Sequence, residues 1–335
     1  MTHALTHRRL PLAGIPVLAL GLTLIGPAAS HAQTVQGMFE RTLSVSGPVD
    51  LDVSTGSGDI TIRQGPAGSV RVIGRIRASR SWFGTGPSAE EKVKALEAKP
   101  PIEQTGSTLR IGRIEDRELR QNVSITYEIT VPAQCTLRSQ TGSGDQNVAD
   151  LSGPVEIGSG SGDLIIGNIG GRVDVSTGSG DIAAGTVGGS FNARTGSGSV
   201  RAGGVSGEIT VSTGSGDIEV SQTAPGAVRV NAASGDITLK GIHGLLRAST
   251  SSGDVIAQGT PTADWQVSSA SGDITLEVPQ TAGFELDAQS SSGRIDSKHP
   301  VTVIGSIERH ALQGKVRSGG PLVRVRTSSG TIRVR

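Results

Sequence analysis

Aromatic side chains are nearly missing from this 335-residue chain, which has two Trp, one Tyr and four Phe. Bulky residues are scarce more generally. The hydrophobic share is 35%, below the ~45–50% usual for globular domains. One large core packed with rings and Leu is therefore excluded, while a thin, repeated core of Val, Ile and Thr is not. The single cysteine, Cys135, excludes a disulfide framework and any Cys-rich metal site. It reads as a small buried residue with no catalytic partner. After residue 25 no run is long and apolar enough to span a bilayer as a helix. An excess of charge of either sign is also lacking: the formal net charge is +1. A general nucleic-acid binder is therefore not expected.

Glycine is abundant instead, with 49 residues, roughly twice the usual ~7%. No G-X-Y triplet orders these glycines, which excludes collagen. The first 32 residues read as a cleaved export signal. His7-Arg8-Arg9 is basic, Leu10 to Ile25 is apolar, and Ser30-His31-Ala32 precedes a cut before Gln33. Pro11, Pro16 and Pro27 argue against a membrane anchor, and Leu-Pro-Leu after the arginine pair favours the general secretory route. The expected location is the periplasm, the cell surface or the extracellular space.

Internal repetition decides the architecture. Ser-Gly-Asp or a close variant recurs with its third residue at Asp145, Asp163, Asp181, Ser199, Asp217, Asp236, Asp254, Asp273 and Arg294. Most steps are 18 or 19 residues. Gln313-Gly314-Lys315 and Ser329-Gly330-Thr331 continue the series loosely, and Asp59 is an isolated early copy. In the unit that begins at Arg172, Val173, Val175 and Thr177 alternate with polar residues as a half-buried strand. Gly178-Ser179-Gly180 supplies a corner, and Ile182 and Ala184 start a second strand. Neither strand would persist alone; stacking unit on unit pairs every backbone group. The fold class expected is all-β, a single β-solenoid of about 18-residue coils, with one short helix in an N-terminal insertion. About eleven coils would make a rod of roughly 50 Å.

Apolar columns accompany the corners. One contains Val155, Val173, Phe191, Ile209, Val228, Leu246, Trp265 and Leu286, and another runs through Leu164, Ile182, Val200, Ile218, Ile237, Val255, Ile274, Ile295, Val316 and Ile332. A left-handed hexapeptide helix would need aliphatics six apart, whereas Val175, Ile182 and Val187 are spaced seven and five. Between Asp59 and Asp145 the period breaks. Strands are predicted over 69–78 and 122–131, and Ser88-Ala-Glu-Glu91 is a capping box for a helix through Ala98, ended by Pro100-Pro101. Residues 33–137 thus hold the first coil and a capping insertion, and 138–335 hold the repeats. Arg324, Arg326, Arg333 and Arg335 alternate with apolar residues and would protect the far end.

Thr-Gly-Ser-Gly-Asp-Ile units behind a signal peptide resemble the bacterial "putative adhesin" family, domain of unknown function 4097. The resemblance covers residues 40 to 335 and implies a β-solenoid and an adhesin role. It carries no catalytic residue. Ser199, Arg294, Lys315 and Thr331 depart from the Asp pattern.

The candidate site residues begin with the Asp row: Asp59, Asp145, Asp163, Asp181, Asp217, Asp236, Asp254 and Asp273. Carboxylates stacked ~4.8 Å apart repel by ~0.9 kcal/mol in water. The structural reading is that each accepts hydrogen bonds from its own Gly-Ser-Gly corner, with the charge relieved at one end by Arg294 and Lys315. The alternative is a calcium-stabilised solenoid. The threonine column (Thr141, Thr177, Thr195, Thr213, Thr250, Thr327) shares the parity of the buried valines, so it should point inward and not form an ice-binding array. Candidate contact residues are Trp82 and Phe83 in a Gly-rich loop, and the arginines 324, 326, 333 and 335. No catalytic residue, metal or cofactor is assigned. His243, His299 and His310 lack ligand spacing, and the chain offers few aromatic platforms for a sugar cleft. A polysaccharide-active envelope enzyme on a β-helix is kept as an alternative. Residues 294–335 carry a net +7 against −9 over 138–293, so a basic end could engage anionic envelope polymers. The partners expected are envelope or surface glycans or another protein.

Overall fold

The structure is a computed structural model that describes residues 34–79, 86–303 and 310–335. Thr34–Arg335 form one compact unit. The candidate leader and Trp82-Phe83 lie outside the described residues. Alternation of Val, Ile and Thr with polar residues produces strands that bury one face. Val173–Ser179 and Phe191–Ser197 share the same order of buried and outward positions. Each 18-residue unit contributes one strand to each of two facing sheets. One sheet has 14 strands and the other 15 among the described residues. In the larger sheet, Val173, Phe191, Ile209, Val228, Leu246 and Trp265 are direct partners along the axis. In the smaller sheet Ile182, Val200, Ile218, Ile237, Val255 and Ile274 align likewise. All of these are buried, so like packs on like in the core between the two sheets. The register shifts between Ala202 and Val205 and between Leu239 and Ile242, and the added length of the longer units falls in the turns before Val228 and Trp265.

The order of coils along the axis differs from the order in sequence at both ends. The coil carrying Asp59, strands Val49–Ser57 and Ile60–Gln64, stacks directly on the coil of Cys135–Ser143 and Gln146–Ala149. Its other side is covered by Thr108–Ile111 and Val123–Val131. The early copy is therefore not isolated; within the 86-residue step from Asp59 to Asp145 the chain folds back to add a further coil. At the C-terminus, Leu322–Ser329 lies between Trp265–Ser271 and Phe284–Ser290, and Ile332–Val334 lies between Ile274–Glu277 and Ile295–Ser297. The last coil in sequence is thus next to last in space.

This arrangement corrects two expectations. Lys315 does not continue the repeat, because Ala311–Val316 runs antiparallel to Phe284–Ser290. Val316 therefore leaves the column that the period assigned to it. The arginine-bearing coil also does not form the far end, which consists of the 284–297 coil and the antiparallel strands Val301–Val303 and Ala311–Val316. Twelve parallel rungs result among the described residues, a stack of roughly 50 Å at ~4.8 Å per rung.

The helix forms over Ala89–Ala98 with its capping box in place. Ser88 Oγ accepts from the Glu91 N–H at 3.2 Å, and Glu91 Oε2 accepts from the Ser88 N–H at 2.8 Å. Glu97 Oε1 accepts the N–H of Met38 at 2.9 Å, so the helix lies against strand Thr34–Ser44. This strand would otherwise present an open edge. A second, single-turn helix spans Arg117–Arg120.

Candidate binding face

At the corners from Gly58 to Gly272, and at Gly330, the glycine before the Asp position takes a backbone conformation that L side chains rarely adopt; Gly180 has φ +155°. A Cβ there would overlap the carbonyl oxygen of Gly162 on the neighbouring coil. The glycine is fixed by conformation and by the closeness of stacking. The corner turns the next N–H along the axis, where the preceding coil's carboxylate accepts it. Asp163 N–H reaches Asp145 Oδ1 at 2.9 Å, Asp181 reaches Asp163 at 2.9 Å, and Asp254 reaches Asp236 at 2.8 Å. The ladder begins at Asp59, whose Oδ1 accepts from Asp145 at 3.1 Å. It ends at Asp273, which accepts from Thr331 at 2.7 Å. Ser199 carries one rung more weakly, its Oγ accepting from Asp217 at 3.4 Å.

The carboxylates accept from the adjacent coil rather than from their own corner. The row passes from Asp273 to Thr331, not to Arg294 or Lys315. The Thr331 N–H, followed by Arg333, holds the Asp273 carboxyl below the usual range. One oxygen of each Asp in the row is engaged in this way. Among the described residues no group of three His, Cys, Asp or Glu is placed to hold a metal. The threonine hydroxyls are buried inside the corner: Thr177 Oγ1 donates to Gly162 O at 3.2 Å and Thr195 Oγ1 to Gly180 O at 3.1 Å.

The displaced last coil also determines what its arginines meet. Arg326 Nη2 lies 2.6 Å and Arg324 Nε 3.3 Å from Asp287 Oδ2. Burial raises the Asp287 carboxyl, but Arg326, with Gln313 and Arg324, outweighs it and holds it low. Arg333 Nη1 is 2.8 Å from Asp273 Oδ2. Arg335 uses its backbone, donating to Leu276 O and accepting from Val278 N, both at 2.8 Å.

The outward face of the larger sheet carries two registered columns of polar side chains. One passes from the exposed pair Arg138–Glu156, 2.9 Å apart, through Asp174 and Asn192 to Arg229, Arg247, Gln266 and Arg324. The other runs through Ser212, Asn231, Ser249, Ser268 and Arg326. Over Arg229 and Arg247 this face forms a shallow groove of about 450 Å³ with no acidic side chain in its lining. The sequence did not point to it. Its arginines are spread one per unit, and Arg324 joins them only through the coil exchange. Among the described residues every aromatic ring is buried, Trp265 donating from Nε1 to Gly244 O at 3.0 Å. His299 is buried against Phe284, ring centroids 5.7 Å apart, while the Nδ1 atoms of His243 and His310 lie 2.9 Å from backbone carbonyls. The three histidines do not converge.

No curated protein matches the chain. Among solved structures, a "putative adhesin" from Bacteroides fragilis NCTC 9343 aligns at 14% identity and TM-score 0.30, covering 89% of this chain and 97% of its own. A "putative adhesin" from Parabacteroides distasonis ATCC 8503 aligns at 12% identity and TM-score 0.33 with the same coverages. A "putative lipid binding protein" from the same organism aligns at 13% and 0.33, covering 89% and 96%. Such low scores carry no argument about function. The sequence itself matches a family, described as Toastrack DUF4097, over residues 171–335. That matched segment, 171–335, holds most of the Gly-Asp corners that stack in register.

Proposed function

We propose that this protein is an exported, non-enzymatic scaffold that engages other molecules at the cell envelope or surface in the manner of an adhesin. The observation that carries the reading is the outward face of the larger sheet. Its polar side chains stand in two registered columns over consecutive rungs, an array suited to an extended or repeating partner. Rigid strands hold that array at fixed spacing, so little ordering is needed on binding. Export is carried by residues 1–32. The first strand begins at Thr34, so cleavage before Gln33 leaves every described strand whole.

Cell fractionation with N-terminal sequencing tests the export half; a cytoplasmic protein retaining residues 1–32 would refute it. The scaffold half is tested by applying the mature protein to arrays of envelope and surface glycans and by assaying those it binds for cleavage. Binding without chain shortening is expected. Turnover of a bound polysaccharide would replace this reading with that of a polysaccharide-active enzyme.

A further inference from the structure

We propose that the groove over Arg229 and Arg247 binds a linear acidic glycan, with Arg247 as its principal anion contact. The proposal rests on the scaffold reading above and names its ligand class and site. Arg229 and Arg247 are direct register partners on adjacent parallel strands, a like-charge placement that weakens a sheet unless something opposes it. Arg229 is opposed on the rim by Glu208, with which it forms an ion pair. Farther along the column Arg324 is opposed by Asp287. Arg247, between them, has no ion pair or side-chain hydrogen bond among the described residues.

The flanking column supplies neutral partners. Ser249 Oγ donates to Asn231 Oδ1 at 2.9 Å, which leaves the Asn231 amide N–H groups as donors toward the groove. Ser212 and Ser268 lie on the adjoining rungs. One column thus offers guanidinium and amide donors, and its neighbour offers hydroxyls and an amide. A ligand matched to both carries an anionic group on one side and hydroxyls on the other, repeated along its length. Acidic polysaccharides have this chemistry. Rungs ~4.8 Å apart also approximate the advance of one sugar ring along an extended chain. Guanidinium groups engage carboxylate and sulfate through paired N–H donors. An acidic peptide fits less well. It would bind best by adding a strand, but on this face the backbone groups are already paired within the sheet.

The test measures binding of the mature protein to three probes of matched length: an oligogalacturonate, a sulfated heparin-type oligosaccharide and oligoglutamate. Each is titrated by calorimetry over a salt series. The wild-type protein is expected to bind at least one acidic sugar probe more tightly than oligoglutamate, and the preferred probe separates carboxylate from sulfate. Arg247→Ser should weaken that binding about tenfold, the scale of one charge-assisted contact, without lowering the melting temperature. Asn231→Ala should weaken it less. Arg201→Ser, on the opposite sheet, should leave it unchanged. Equal binding of oligoglutamate would reduce the effect to general charge attraction and overturn the proposal. Binding that survives Arg247→Ser would overturn the site, while the scaffold reading would stand on the glycan-array result. Failure of all three probes to bind would overturn the ligand class, and that reading would then rest on the array alone.

Discussion

Replacing Asp254 separates the hydrogen-bond role of the Asp row from every role that needs its charge. Asp254 Oδ1 accepts from the Asp273 N–H at 2.7 Å, and its own N–H donates to Asp236 Oδ1 at 2.8 Å. Asp254→Ala leaves the Asp273 N–H without its partner. A hydrogen bond to a charged group contributes about 1.5–3 kcal/mol, and solvent access at this exposed corner reduces the loss to about 1 kcal/mol. Asp254→Asn keeps an acceptor oxygen, though a neutral and weaker one. It also relieves repulsion from Asp236 and Asp273, about 0.9 kcal/mol from each at a ~4.8 Å spacing in water. Salt screening reduces that relief to about 1 kcal/mol in all, so the two changes nearly cancel. Asp254→Asn is expected to fall within about 1 kcal/mol of wild type, with Asp254→Ala less stable than Asp254→Asn. Urea unfolding followed by circular dichroism, with and without chelator, measures both. If Asn cost as much as Ala, or if calcium raised the wild-type midpoint and left the Asn variant unmoved, the ladder would need its charge and the reasoning would fail.

Three further outcomes follow from the geometry. Gly180→Ala should destabilise severely or prevent folding, because a Cβ there overlaps Gly162 O at a strained φ. Gly178→Ala would also press on Gly160 O, but without a positive φ and with Ala233 and Ala270 at the equivalent position in other coils it should cost much less; equal costs in thermal melts would contradict this. Burial, with Asp50 adding to it, pushes the Cys135 thiol up to about 12. It should therefore react with a disulfide reagent at pH 8 only as fast as the protein unfolds, and prompt labelling would refute its placement. The folded-state carboxyls of Asp273 and Asp287 are depressed, so their contribution is present above the unfolded range near ~3.9 and is lost as pH falls through the folded values. Below about pH 4 the last coil should loosen. Trp265, which lies beside Val323, should report this by fluorescence in a Trp82→Phe background, and an emission spectrum unchanged to pH 2.5 would contradict it.

Much of the fold was legible because each coil repeats the same physical demand. Val173, Phe191, Ile209, Val228, Leu246 and Trp265 each fill one core position per turn, so their column shows as a period in the sequence. The helix was legible because Ser88 and Glu91 satisfy each other locally. The order of the terminal coils was not. Leu286 and Ala288 meet the same requirements as Val323 and Val325, so either pair could pack on Trp265 and Val267. Long-range pairing places Val323 there, with Asp287 facing Arg324 and Arg326. The early Asp59 copy was obscured in the same way, since its partner Asp145 lies 86 residues further along the chain. The groove of the binding face lies in coils stacked in sequence order, but its arginines are spread one per unit and did not stand out as a cluster. The acceptor role of the Asp row was half legible: the sequence shows a carboxylate at a corner, but not that the corner turns the next coil's N–H toward it.

Removing one whole coil tests the in-register stack most directly. Deleting residues 182–199 joins Asp181 to Val200 and brings partners of the same kind together: Val173 with Ile209, and Leu164 with Val200 across the gap left by Ile182. Deleting 182–190 removes only one strand of that coil and breaks the alternation between sheets. Circular dichroism and thermal unfolding of the two variants decide the matter. The 18-residue deletion should keep the β spectrum and a single cooperative transition at a slightly lower temperature, while the nine-residue deletion should unfold or aggregate. Equal behaviour of the two, or loss of structure on removal of the full coil, would show that the coils are not interchangeable units of one stack.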